Sequence, residues 1–381
     1  VFTRQVVKSL AAVVIGVSAL SIGISTSAFA QSNAKSDAHL LATTQNPWGW
    51  SGTATKGYLP PHEPHVHAGK VTIGLLSAGT IHDHGYYQSE ATVLSTAAKK
   101  YHWKTIIEGP VTNAKALADA ENLCVQGVDL VVIGQSQIAS AESAASSPTC
   151  KGTPFWIYGS IGTVTPSPYL YIAQTTANDQ AYVTGVAMGI WLKDHHETRA
   201  GFIAGPALSF TERPAQSYLA GMRSVIKNAT MDAVFTGSFT ATGPAITAAK
   251  SMLASGVQLI YPYLGGALYP TARYITQHGG ATLSGGGAAC SNQGVNFAIR
   301  QVYNPGYYLA PALSAFAHGK FREGLVRTFI LGKTAVPTVQ FCHTKGVTFT
   351  KGNASLNKII HKVATGALTP TAAITATPTP S

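Results

Sequence analysis

The sequence predicts a mixed α/β protein of two lobes, each a parallel sheet flanked by helices. Three observations predict it. Short apolar, β-branched runs alternate with amphipathic stretches of helical period, the pattern of βαβ units. The alternation runs through one block and then restarts, giving two blocks of ordinary domain size. Polar and glycine-rich segments follow the strand-like runs, where open α/β sheets carry their ligands.

The first block reads as the strands KVTIGLLS (70–77), WKTIIEG (103–109), DLVVIG (129–134), PFWIYG (154–159) and YLYIAQ (169–174), with helical patterns such as YYQSEATVLSTAAKKY and NAKALADAENLCVQG between them. The second reads as RAGFIAG (199–205), a helix over 212–227, MDAVFTGSF (231–239), a helix over 244–254, QLIYPYL (258–264), a helix over 269–277, and ATLSGG. Right-handed crossovers put the helices on both faces of each sheet. The expected organisation is lobe 1 over 70–175, lobe 2 over 176–280, and hinge crossings with C-terminal segments completing both lobes over 281–368. A Pro/Thr tail (369–381) is expected to be disordered. Two lobes that present loops to each other form a cleft that closes on a small molecule.

Composition narrows the function. Hydrophobic residues make up 45% of the chain, enough for packed cores, and charged residues only 11%. The net charge of +11 is dispersed, without a Lys/Arg-rich block, so no nucleic-acid partner is expected. Thirteen histidines beside few carboxylates fit an acidic surrounding. Arg4 and Lys8, then SLAAVVIGVSALSIGI and Ala28-Phe29-Ala30, read as a secretory signal over 1–30, cleaved after Ala30. The protein is therefore expected outside the cytoplasm, periplasmic or at the cell surface. No cysteine lies near that site to carry a lipid. Residues 31–69 read as a polar leader or tether.

Export permits disulfides. Cys124–Cys150 and Cys290–Cys342 are the expected pairs, because each links neighbouring segments of one lobe. HEPHVH offers His62, His65 and His67 as candidate metal ligands, but Pro61 and Pro64 keep it out of a helix, and a solvated His-rich linker is the simpler reading. His82 and His84 flank Asp83 and would need a further ligand from elsewhere. Enzyme signatures are absent: GQSQI has Ile138 where a nucleophile elbow needs Gly, and no phosphate loop or dinucleotide fingerprint follows a strand. No enzyme activity and no cofactor are expected.

The candidate ligand contacts lie on the loops after the strands. SAGTIHDHGYYQ supplies Asp83, Tyr86, Tyr87 and Gln88; GQSQ supplies Ser136; YGSIGT opens on Tyr158; YLGGALYP supplies Tyr263, Gly265 and Gly266. Aromatics gather at these ends (also Trp156, Phe210, Tyr218, Tyr261 and Tyr269) and suit a flat, partly apolar ligand. Glu212 and Arg213, opening a helix, offer a handle for a charged group.

The order of segments resembles the basic membrane protein family of ABC-importer substrate-binding proteins, whose best-understood members bind purine nucleosides. The resemblance runs from about residue 70 to 368. It is carried by GTIHDHGYYQSE, by RAGFIAG with FTERPAQSYLAGMRSV, by the strand–helix–strand unit ending in YLGGALYPTARYITQHG, and by GVTFTKGNASLNKIIHKVATGALT. It implies a type I periplasmic-binding-protein fold with three crossings between lobes. It also implies a small-molecule ligand, nucleoside or similar, an ABC permease as partner, and a monomer. Asp83 would be the hydrogen-bond acceptor, Tyr86 the stacking surface, and Gly265 and Gly266 points of close backbone approach. The chain departs from the family pattern twice. Tyr87 stands where the family usually has Asn, and Gly285–Gly287 stand near a usual ligand-binding Asp. Loss of that carboxylate argues against a nucleoside held in the usual way, since a hydrogen-bonding site without its partner group changes specificity strongly. The alternatives are a type I protein for an amino acid, sugar or autoinducer, and a His-rich metal-binding protein outside the cytoplasm.

Overall fold

The computed structural model describes residues 70–287, 289–343, 352–370 and 379–380. The expected signal segment, the leader with His62, His65 and His67, and most of the tail lie outside the described residues.

The chain begins with β1 (Thr72–Leu76), α1 (Tyr86–Tyr101), β2 (Lys104–Glu108), α2 (Asn113–Val125), β3 (Leu130–Ile133), a 3-10 segment (Ser136–Ser146), β4 (Phe155–Ser160) and β5 (Leu170–Thr175). It continues with α3 (Ala177–Asp194), β6 (Arg199–Ala204), α4 (Ser209–Arg223), β7 (Thr230–Phe235), α5 (Thr242–Ala254), β8 (Leu259–Tyr263), α6 (Leu268–Gln277) and β9 (Ala281–Ser284). A short hairpin, β10 (Ser291–Asn292) and β11 (Val295–Asn296), precedes β12 (Ile299–Val302). The last elements are α7 (Pro305–Ala317), β13 (Val326–Phe329), β14 (Thr338–Phe341), α8 (Asn353–Ala364) and β15 (Thr379–Pro380).

The first lobe is a six-stranded sheet in the order β13-β5-β4-β3-β1-β2, parallel throughout. The central strand β3 reads as an unbroken apolar run because both its faces are covered, and every residue of it is buried; the edge strand β2 has no fully buried residue. The period of two sends Val131, Ile133, Phe155 and Ile157 to the face packed by α2 and the 3-10 segment. Leu130, Val132, Trp156 and Tyr158 go to the face packed by α1 and α7.

The second lobe is a seven-stranded sheet in the order β14-β12-β9-β8-β6-β7-β15, parallel except where β12 meets β14. Helix α3 is buried from Gln180 to Leu192, so its sequence carries no polar stripe. It lies against α4 at very short range. A Cβ on Gly185 would strike the Tyr218 carbonyl, and one on Gly221 would strike the Tyr182 carbonyl. The disulfides Cys124–Cys150 and Cys290–Cys342 fasten segments beside the first and second sheet respectively.

The chain passes between lobes after β5, after β12 and after β13. Gln180, 2% exposed, ties these passages together. Its Nε2 donates to the carbonyls of Val302 and Thr338, while the Leu331 N–H donates to Thr176 Oγ1. Thr379 and Pro380, in the tail expected to be disordered, pair with Asp232 and Ala233 of β7. The backbone groups of an otherwise open sheet edge account for that pairing.

Candidate ligand-binding site

A cavity of about 140 Å³ lies between the lobes. Its wall is assembled from the carboxyl ends of strands, as the fold dictates. Tyr86 and Tyr87 come from the start of α1, and Gln135–Gln137 follow β3. Tyr158 and its neighbours end β4. Thr175 and Asn178 flank the first passage between lobes. Phe210 and Arg213 open α4, Tyr263–Gly265 end β8, and Gln301 and Tyr303 end β12. The two lobes also touch each other directly. Tyr269 Oη donates to the His84 carbonyl at 3.3 Å and accepts from Asn292 Nδ2 at 2.7 Å. The rings of Tyr86 and Tyr303 lie 5.7 Å apart.

Of the residues expected at the ligand, the structure brings together Tyr86, Tyr87, Ser136, Tyr158, Arg213, Tyr263 and Gly265 on this wall. It does not bring Asp83, Gln88 or Gly266 there. Asp83 is buried, and its carboxylate serves the backbone: Oδ1 accepts from the N–H groups of Gly85 and Gln88, and Oδ2 from that of Tyr87. The acceptor expected for a ligand is thus spent on the orphan donors at the start of α1. Gln88 Oε1 accepts from the His84 N–H, bracing the same turn, where His84 sits at φ 54°. Gly266 faces Thr240, with ordinary contact distances for a Cβ.

The polar groups of the wall hold one another. Tyr87 Oη donates to Gln137 Oε1 at 2.9 Å. Tyr218 and Tyr261 both donate to Gln301 Oε1, at 2.8 and 2.9 Å. The Ala78 N–H donates to Gln135 Oε1, and Gln135 Nε2 donates to the buried carboxyl of Glu90. Burial pushes the Tyr86, Tyr158 and Tyr303 hydroxyls well up and Tyr263 to about 12. They remain neutral O–H donors at physiological pH. Burial, and then the charge of Asp83, raises Glu90 well above the ordinary carboxyl range.

Sequence reading missed Tyr303 and Gln301. Their signal was present in IRQVYNP, an apolar run ending on polar groups just before an Asn-Pro helix start. Tyr303 also accounts for Gly285. A Cβ there would lie 2.7 Å from Tyr303 Oη and 3.0 Å from Tyr261 Oη. Tyrosine hydroxyls fill the space that a side chain at 285 would need. Trp156, expected near the cleft, lies wholly in the first core. Among the described residues no cluster of three or more His, Cys, Asp or Glu side chains is placed to hold a metal ion.

Solved structures share this architecture. A solute-binding protein of an ABC transporter system from Aeropyrum pernix K1 superposes with a TM-score of 0.63 at 15% identity, covering 78% of this chain and 86% of the other. One from Conexibacter woesei DSM 14684 gives 0.57 at 17%, covering 78% and 97%. A transcriptional activator of the comK gene from Bacillus halodurans gives 0.59 at 14%, covering 78% and 99%. At such identities the likeness shows the fold alone, that of type I periplasmic binding proteins. Among curated proteins no sequence matches the chain. The family model for PnrA-like ABC transporter substrate-binding proteins matches residues 70–278, over half of the chain. With the two-lobed fold and its interlobe cavity, that match places the chain in the Bmp family of ABC transporter substrate-binding proteins.

Proposed function

We propose that the protein is exported and works outside the cytoplasm as a monomer, capturing one small polar molecule between its lobes and delivering it to an ABC permease. Capture is by lobe closure and involves no chemical conversion. The observation that carries this reading is the cavity itself, walled by tyrosine and glutamine from both lobes at the strand ends. Those groups bind and orient, and closure then removes the ligand from water. The obstruction at Gly285 favours a solute other than a nucleoside held by a carboxylate at that point.

A thermal-shift screen against nucleosides, nucleobases, sugars, amino acids and small organic acids tests the reading. A true ligand raises the melting temperature in a concentration-dependent way, because it binds only the folded state. No response to any class, or turnover of a bound compound, counts against it.

A further inference from the structure

Arg213 is the only charged side chain on the cavity wall among the described residues. It is exposed, which puts it at the mouth rather than in the depth. The Arg199–Asp232 bridge lies elsewhere, on the second sheet, and no acidic group is paired with Arg213 among the described residues. Among the described residues no carboxylate lines the cavity: Asp83 caps α1, and Glu90 stands behind Gln135.

Three further features bear on the occupant. Helices α3 and α4 both begin at the wall, at Ala177 and Ser209. Helix starts turn N–H groups and partial positive charge toward what lies before them. The tyrosines are neutral donors. The volume of about 140 Å³ is that of the cavity with the lobes in contact at Tyr269 and His84. A cavity of roughly 150 Å³ takes benzene, whereas a purine nucleoside adds a second fused ring and a ribose.

From this we propose that the ligand is a small organic acid with one planar ring, its carboxylate held by Arg213 and its ring among Tyr86, Tyr158, Tyr263 and Tyr303. The proposal rests on the solute-binding reading and adds a ligand class to it. The guanidinium fork matches a carboxylate with two parallel hydrogen bonds. The tyrosine faces receive the ring in offset or edge contact. A cationic solute would meet Arg213 and two helix starts with no counter-charge on the wall among the described residues.

The test is titration calorimetry with matched pairs that differ only in charge: benzoate against benzamide, and nicotinate against nicotinamide, with uridine and galactose as neutral polar probes. At least one acid is expected to bind about ten- to a hundredfold tighter than its amide, the worth of a charge-assisted hydrogen bond. Arg213→Gln is expected to erase that difference, and Arg213→Lys to keep part of it. Because Arg213 is exposed, both variants should fold, as circular dichroism would verify. Equal affinity for acid and amide, no binding of either acid, or an acid preference that survives Arg213→Gln would each overturn the proposal. Binding of uridine or galactose with none of the acids would overturn it too, and would leave the solute-binding reading standing.

Discussion

The amide of Gln180 closes the β12–β14 ladder at Val302: its Nε2 donates to the Val302 carbonyl at 2.6 Å. The same nitrogen donates to Thr338 at 2.9 Å, and Val302 and Thr338 are register partners on the two strands. One side chain from the start of α3 thus caps the rung where the chain leaves the second lobe and where it returns. The passages between lobes share this anchor.

Gln180→Leu keeps most of the volume and removes both bonds. The buried carbonyl of Val302 and the part-buried one of Thr338 then lose a donor, at a cost of about 1–3 kcal/mol. The expected result is a lower urea midpoint with an unchanged slope. An unaltered midpoint would show that the ladder holds without the amide.

Asp83→Ala is expected to act on stability first. The carboxylate accepts three backbone N–H groups at the start of α1, and removal of such a cap costs about 0.5–2 kcal/mol. Asp83→Asn retains an acceptor oxygen and should lose less. Any fall in ligand affinity would follow from displacement of Tyr86 and Tyr87, which begin this helix. A large affinity loss at unchanged melting temperature would instead restore Asp83 to the ligand.

Gly285→Asp reinstates a carboxylate near the position where the family usually carries one, and it should not create a nucleoside site. Its Cβ would sit 2.7 Å from Tyr303 Oη, an overpacking that typically costs about 1–3 kcal/mol. Tyr303→Phe removes the obstructing oxygen, so the double variant should recover part of the loss. Melting temperatures of the single and double variants test the coupling, and additive effects would refute it.

Fold and site were unequally legible in the sequence. β3 could be read because an unbroken Leu-Val-Val-Ile run has few other uses, and α1 because its apolar positions recur at helical spacing. α3 escaped periodicity: it is buried from Gln180 to Leu192, leaving no polar face to set a rhythm. The wall residues Tyr86, Tyr158 and Tyr263 followed from the rule that loops at strand ends meet the ligand. Asp83 misled because a carboxylate in such a loop can serve a ligand or a helix start equally well. Only coordinates show which N–H groups it meets. IRQVYNP marks Tyr303 locally as the end of a strand, but its place opposite Tyr86 depends on a passage that joins segments far apart in the chain.

Stability should fall as pH rises from mildly acidic to mildly alkaline. Burial raises Glu142 from 4.5 to about 7 and Glu323 from 4.5 to about 8, and it raises Glu90 well above 4.5. A carboxyl raised on folding binds its proton more tightly in the folded chain than in the unfolded one. Between the unfolded and folded values the folded state therefore holds the extra proton, and stability declines with increasing pH. The window runs from about 4.5 to 7 for Glu142 and from about 4.5 to 8 for Glu323. Glu323 is the clearest case, since neither carboxylate oxygen has a hydrogen-bond partner among the described residues. Urea denaturation at pH 5 and pH 8 measures the slope. Glu323→Gln, neutral at every pH, should flatten it while leaving the fold intact. A slope of the opposite sign, or one that this substitution leaves unchanged, would mean that Glu323 ionises in the folded chain as readily as in water.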